Sequence, residues 1–178
     1  FVNGHYAAAL SKIAKQPAGV RVSNVAAILA AEPALLEKHL APSSPVGDNA
    51  FTALNQAFFL DGGFIHVPAG KVVEEPVPLI YVVTTKQNGA TIQPRNVIVA
   101  EANSQLTVVE SYVTAGGAGY FTNAVTELVA GDNAIVELLK FQDEAADAFH
   151  MAAIHGQFGR ASNVRVHSFA LGAKISRN

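Results

Sequence analysis

The sequence predicts a mainly β protein, a parallel β-helix over residues 62–178 behind a small N-terminal α/β segment over residues 1–61. Three observations carry that expectation. Near position 62 the residue types change from helix formers to runs of Val, Ile, Thr, Tyr and Phe broken by tight polar turns. The turn centres Gly70, Asn103, Asn133 and Asn163 then recur about every 30 residues, inside the roughly 20–50-residue range of stacked repeats. Their surroundings are alike: IVAEANSQL at 98–106, LVAGDNAIV at 128–136 and FGRASNV at 158–164 each read as strand, small polar turn, strand. Such a unit cannot bury its apolar face alone and must stack on its neighbours. A sandwich would place strands every ~8–12 residues, and a propeller blade needs four strands per repeat. A β-helix, in which each rung lies on the one before, suits the period best.

The elements follow in order. Phe1-Val2, Asn3-Gly4 and His5-Tyr6 form a small hairpin, because a two-residue Asn-Gly turn matches the twist of its flanking strands. Val25 to Ala31 is rich in helix formers, and Pro33 interrupts it before a second helical run from Leu35 to Leu40. Ala41-Pro42-Ser43-Ser44-Pro45 is a loop by its turn residues. Asp48 or Asn49 caps a third helix in which Phe51, Leu54 and Phe58 recur at spacings of three and four, so that face is expected to be buried.

Composition narrows the function. Of 178 residues, 50% are hydrophobic and only 15% charged, which excludes a disordered chain. There are no cysteines, so this chain supplies no disulfide, no thiol nucleophile and no thiolate for an iron–sulfur cluster. A net charge of −2 gives no basic footprint for nucleic acid. The best apolar run, Val77 to Val83, is far short of the ~18 residues of a membrane span and contains Pro78. The opening lacks Met and a signal-peptide pattern, and the chain stops directly after a strand-like run, so it reads as part of something longer.

Few residues present themselves for chemistry. His66, ahead of Pro68-Ala69-Gly70, sits where a cupin metalloenzyme carries a histidine pair, but no second histidine stands nearby, and the segment reads as a turn between strands. Glu74-Glu75 and Asp143-Glu144 are paired acids, yet neighbours on a strand point to opposite faces, so both pairs read as solvated loop charges. His150, His155 and His167 lie close in sequence. Alternation along Val164-Arg165-Val166-His167 puts His167 beside Arg165 on the outer face when the valines face the core. His155 and His167 are the candidate metal ligands, and they need a third donor. Gly116-Gly117-Ala118-Gly119 has no lysine and is a surface loop, and Ser111, Ser168 and Ser176 lack a nucleophile-elbow setting. No catalytic or cofactor-binding residue emerges. A carbohydrate-active β-helix or a cupin-like protein is the alternative class, without the lined-up acids or histidine pair that either needs.

Several runs are more specific. NAFTALNQAFFLDGGF at 49–64, continued by IHVPAG at 65–70 and EPV at 75–77, resembles the SufB/SufD family, the scaffold proteins of SUF iron–sulfur cluster assembly. PRNVIV at 94–99, VVESY at 108–112 and LGAKISRN at 171–178 are similar to it as well, and the opening FVNGHY resembles the entry segment of the SufD branch. The resemblance spans nearly the whole chain. It implies a right-handed parallel β-helix and a non-catalytic subunit that pairs with SufB and the ATPase SufC, in the cytoplasm or, in plants, the plastid stroma. It implies that the complex assembles the cluster and that this chain alone binds no cofactor. The family's cluster-assembly and SufC-docking residues fall beyond Asn178, so none is carried over. The lack of cysteine favours the SufD branch, since SufB contributes the thiolate. Self-association through the last rung is expected, because an open strand edge invites pairing.

Overall fold

The computed structural model describes residues 1–40, 49–84, 88–117 and 119–178. Val2 and His5 exchange backbone hydrogen bonds of 2.8 and 3.1 Å, and Asn3 and Gly4 both take positive φ, as the Asn-Gly hairpin requires. A 3-10 turn at Ala8–Leu10 leads to β1 (Arg21–Asn24). Helices α1 (Val25–Ala31) and α2 (Pro33–Leu40) meet at Glu32, and Pro33 opens α2, where its missing N–H costs nothing. The expected loop at 41–45, and Asp48 with it, lies outside the described residues. Asn49 caps α3 (Ala50–Phe58), accepting from the N–H groups of Phe51 and Thr52.

The rest of the chain coils into a parallel β-solenoid. One sheet runs β10 (Asn163–Ala170), β8 (Ile135–Asp143), β6 (Gln105–Thr114) and β3 (Val77–Val83). The other runs β1, β2 (Gly63–Val67), β5 (Arg95–Ala100), β7 (Tyr120–Ala130), β9 (Phe149–Phe158) and β11 (Ile175–Arg177), with β4 (Ala90–Ile92) beside β7. Every pair of strands is parallel except β1 with β2. Gln105 stands opposite Ile135 and Arg95 opposite Val125, which is the expected pairing one period away.

The turns stack as well. Asn103 and Asn133 adopt the left-handed conformation, at φ 58° and 56°, which asparagine tolerates because its short side chain bonds locally. Asn103 N donates to Asp132 O at 2.8 Å, Asn133 N to Arg160 O at 2.9 Å, and the Asn133 amide to Asn103 Oδ1 at 3.2 Å. The fourth turn centre departs from expectation. Asn163 is the first residue of β10, and the left-handed position is Ala161, at φ 55°. The last rung is shorter: Phe121 pairs with Phe149, 28 residues on, so the site equivalent to Asn133 falls two residues before Asn163.

Between the sheets, Ile65, Leu79, Ile98, Leu106, Val108, Leu128, Val136 and Leu138 form the main core. Helices α1 and α2 cover the outer face of the second sheet through Val25, Ile28, Leu36, Phe64, Val97 and Val99. Helix α3 contradicts the apolar-stripe expectation. Phe51 and Phe58 are exposed, at 40% and 64%, and the buried side chain is Asn55. Its amide donates to the carbonyls of Pro94 and Asn123, at 3.0 and 2.8 Å, so polar anchoring rather than the phenylalanine stripe sets the roll of the helix. Among the described residues no helix is long and apolar enough to cross a membrane.

Candidate functional site

Alternation decides what the solenoid encloses. In β6, Leu106, Val108, Glu110 and Tyr112 face inward; in β8, Val136, Leu138, Lys140 and Gln142 do. One end of the lumen is therefore aliphatic and the other polar. From the opposite sheet the polar end receives Asn96, Thr122, Thr126 and His150, all buried.

The groups form two hydrogen-bonded sets that meet where the Tyr112 and His150 rings pack edge to face, 4.9 Å between centroids. Glu110 accepts from Asn96 at 3.0 Å and Thr126 at 2.7 Å through one oxygen, and from Tyr112 at 3.1 Å through the other. Tyr81 donates to Asn96 Oδ1 and stacks on Tyr112, with ring centroids 4.9 Å apart. Lys140, opposite Glu110 in the ladder, lies over the Tyr112 ring and donates to Asn178 Oδ1 at 2.6 Å. Glu144 accepts from Thr122 at 2.7 Å and Gln142 at 3.1 Å, and is 2.6 Å from His150 Nδ1.

Burial reshapes these acids and bases. It pushes the Lys140 ammonium down to about 8, against the pull of Glu110 and Glu144. It lowers the His150 imidazole, although the bond to Glu144 opposes it. Burial alone would raise the Glu144 carboxyl, but His150, Thr122 and Gln142 together hold it below the ordinary range. Tyr81 and Tyr112 are raised well above theirs by burial, then by the Glu110 charge.

A second polar cluster lies on the outer face of this sheet, under α3. Arg95 and Glu127 form an ion pair, each side chain 2% exposed. Arg95 also donates to Asn55 Oδ1 at 3.2 Å, and His155 Nδ1 stands 3.3 Å from Glu127. This cluster clamps the helix onto the sheet.

The residues singled out from sequence scatter. His155 belongs to the clamp, on β9. His167 is exposed on β10 in the other sheet, 3.6 Å from Glu137, so the two histidines do not converge. His66 pairs with Glu101 at 2.9 Å beside the Pro68-Ala69-Gly70 turn, which fits a turn and not a cupin site. Glu74 and Glu75 are exposed as expected. Glu144 is the correction: it is 5% exposed rather than a solvated loop charge, because the chain turns inward after Asp143 to meet His150. Among the described residues no three His, Asp or Glu side chains converge as a metal would need. Sequence reasoning missed Glu110, Tyr112, Lys140 and Gln142. Their signal was the alternation that continues from Leu106 and Val108, and from Val136 and Leu138, onto the same face.

Comparison with known proteins gives this geometry a context. Residues 82–178 match the family model described as SUF system FeS cluster assembly, SufBD core domain, and residues 1–79 match the SufBD protein N-terminal region. An iron–sulfur cluster assembly SufBD family protein of Synechocystis sp. is 28% identical across the whole chain, which covers 41% of that relative. A SufBD family protein of Trieres chinensis is 33% identical over 70% of the chain and 26% of its own length. The iron–sulfur cluster assembly protein SufD of Bacillus subtilis is 35% identical over 57% of the chain and 23% of its own length. The chain thus spans less than half the length of these relatives.

Proposed function

The chain belongs to the SufBD family of the SUF iron–sulfur cluster assembly system, and from that premise we propose that it serves as a SufD-like, non-catalytic scaffold subunit pairing with SufB and the ATPase SufC. The observation that carries the reading is the end-to-end match to the two family models, together with the identity to the SufD protein of Bacillus subtilis. Two features support it. The solenoid interior is filled by its own side chains, Tyr81, Tyr112 and Lys140 among them, rather than shaped around a substrate. Residues 1–178 hold no cysteine, so they supply no thiolate ligand for a cluster.

In this reading the complex builds the cluster and this chain alone holds none, working in the cytoplasm or a plastid stroma. The docking residues for SufC lie outside residues 1–178. Co-expression of the whole protein with SufB and SufC tests the assignment. A stable complex, with cluster formation that falls when this subunit is left out, is the expected result. No association with either partner, or an iron–sulfur chromophore retained by residues 1–178 alone after anaerobic reconstitution and desalting, overturns it.

A further inference from the structure

The two sheets differ in what covers them. Helices α1, α2 and α3 all pack on the outer face of the second sheet. Among the described residues the outer face of the first sheet has no such cover. Its outward side chains follow from the alternation that sends Leu106, Val108, Val136 and Leu138 inward. The ladders set them in rows: Val109 and Leu139 share one, and Ile80, Ser111, Phe141 and Phe169 share the next. Ile80, Phe141 and Phe169 are 49%, 39% and 44% exposed, and the two phenylalanine rings stack on the surface with centroids 4.8 Å apart. A parallel sheet normally has both faces covered, and a contiguous apolar patch on a surface marks a place of contact. Further rungs of a solenoid add strands beside β10 and do not pass over this face.

Size and charge identify the occupant. The nine paired residues of β6 and β8, at ~3.3 Å each, and four strands ~4.8 Å apart make the face roughly 19 by 30 Å. That is roughly 600 Å² before the relief of side chains is counted, within reach of the ~800 Å² that each partner supplies to a stable interface. The charges on it are of both signs. Arg165 stands opposite Glu137 in the β8–β10 ladder, and His167 Nε2 lies 3.6 Å from the same carboxylate. A twofold axis running along the strands between β8 and β10 therefore lays Glu137 over the partner's Arg165 and Phe141 over the partner's Phe169, each contact occurring twice. A face that is flat, apolar and complementary in charge to itself fits a second copy of the same face.

We propose that the outer face of the first sheet, centred on Phe141, Phe169, Glu137 and Arg165, is the surface through which two copies of this protein associate. The sheets lie face to face at the ~10 Å spacing of packed β-sheets. This contact is distinct from pairing at the open edge of the last rung. It rests on the sheet geometry and not on the scaffold reading.

Sedimentation of the whole protein at ~1–100 µM, without SufB or SufC, tests it, since an interface at the small end of the range dissociates at such concentrations. A monomer–dimer equilibrium is expected. Phe141→Asp weakens it by roughly 100-fold or more, because the lost apolar contact and the desolvated charge each count twice. Glu137→Arg and Arg165→Glu each weaken it too, and the two together restore it. Phe58→Asp on α3 and Ile175→Lys in the last rung leave it unchanged. None of these side chains is buried, so an unchanged thermal melt by circular dichroism verifies folding. A monomer at ~100 µM, whether the face is bare or covered by some other segment, overturns the proposal. So does a Phe141→Asp variant that dimerises like the unmutated protein, dissociation by Phe58→Asp or Ile175→Lys, or a charge-swapped double variant that stays monomeric.

Discussion

Lys140 is the least expected side chain in the lumen, an ammonium 2% exposed among tyrosines and carboxylates. Burial lowers it from 10.5 to about 8. At about 1.4 kcal/mol per pH unit, the charged form weakens the fold by about 3 kcal/mol relative to neutral lysine. The sign follows from linkage. Between about pH 8 and 10.5 the unfolded chain holds the proton and the folded chain has released it, so stability rises with pH across that window. Tyr81 and Tyr112, raised well above 10, act oppositely once the unfolded tyrosines begin to ionise, so the measurement belongs between pH 8 and 9.5. Urea denaturation followed by circular dichroism should show unfolding free energy rising by about 2 kcal/mol over that interval. Lys140→Met removes the titrating group and should flatten the profile. A flat profile in the unmutated protein, or the same slope in Lys140→Met, refutes the reasoning.

Three further outcomes are expected. The folded-state pKa of His150 lies below its ordinary 6.5 and that of Glu144 below 4.5, so stability should fall as pH drops through 6.5 and again below 4.5; equal urea midpoints at pH 7 and pH 5 would contradict this. Arg95→Leu strips the buried Glu127 carboxylate of its guanidinium and leaves it only His155 at 3.3 Å, which should cost about 3–5 kcal/mol by denaturation, whereas His167→Ala on the exposed strand should change stability by less than about 0.5 kcal/mol. Gly131→Ala places a Cβ 2.6 Å from the backbone nitrogen of Ala102 and should lower the melting transition by a stability loss of about 1–3 kcal/mol; an unchanged transition would mean that the stacked turns yield freely.

What the sequence alone determined is what short-range chemistry and periodicity encode. The Asn3-Gly4 hairpin, the Pro33 break, the Asn49 cap and the rung spacing all rest on local conformational preferences, and each appears where it was expected. The two-residue shortening of the last rung escaped, because Asn163 resembles a turn centre locally and only pairing with Ile135 makes it a strand residue. The roll of α3 escaped for a similar reason. A stripe of Phe51, Leu54 and Phe58 predicts burial, but the Asn55 bonds go to Pro94, just before β5, and Asn123, in β7, about 40 to 70 residues away. The lumen network lies between these cases. Alternation carries Glu110, Tyr112, Lys140 and Gln142 onto the core face, a signal that the sequence reading did not take up. That Glu144 and His150 meet there, and that burial drives Lys140 down to about 8, depends on two sheets closing over the same space. Only the tertiary fold removes water from both sides of a charge, and that removal turns scattered polar residues into one coupled site.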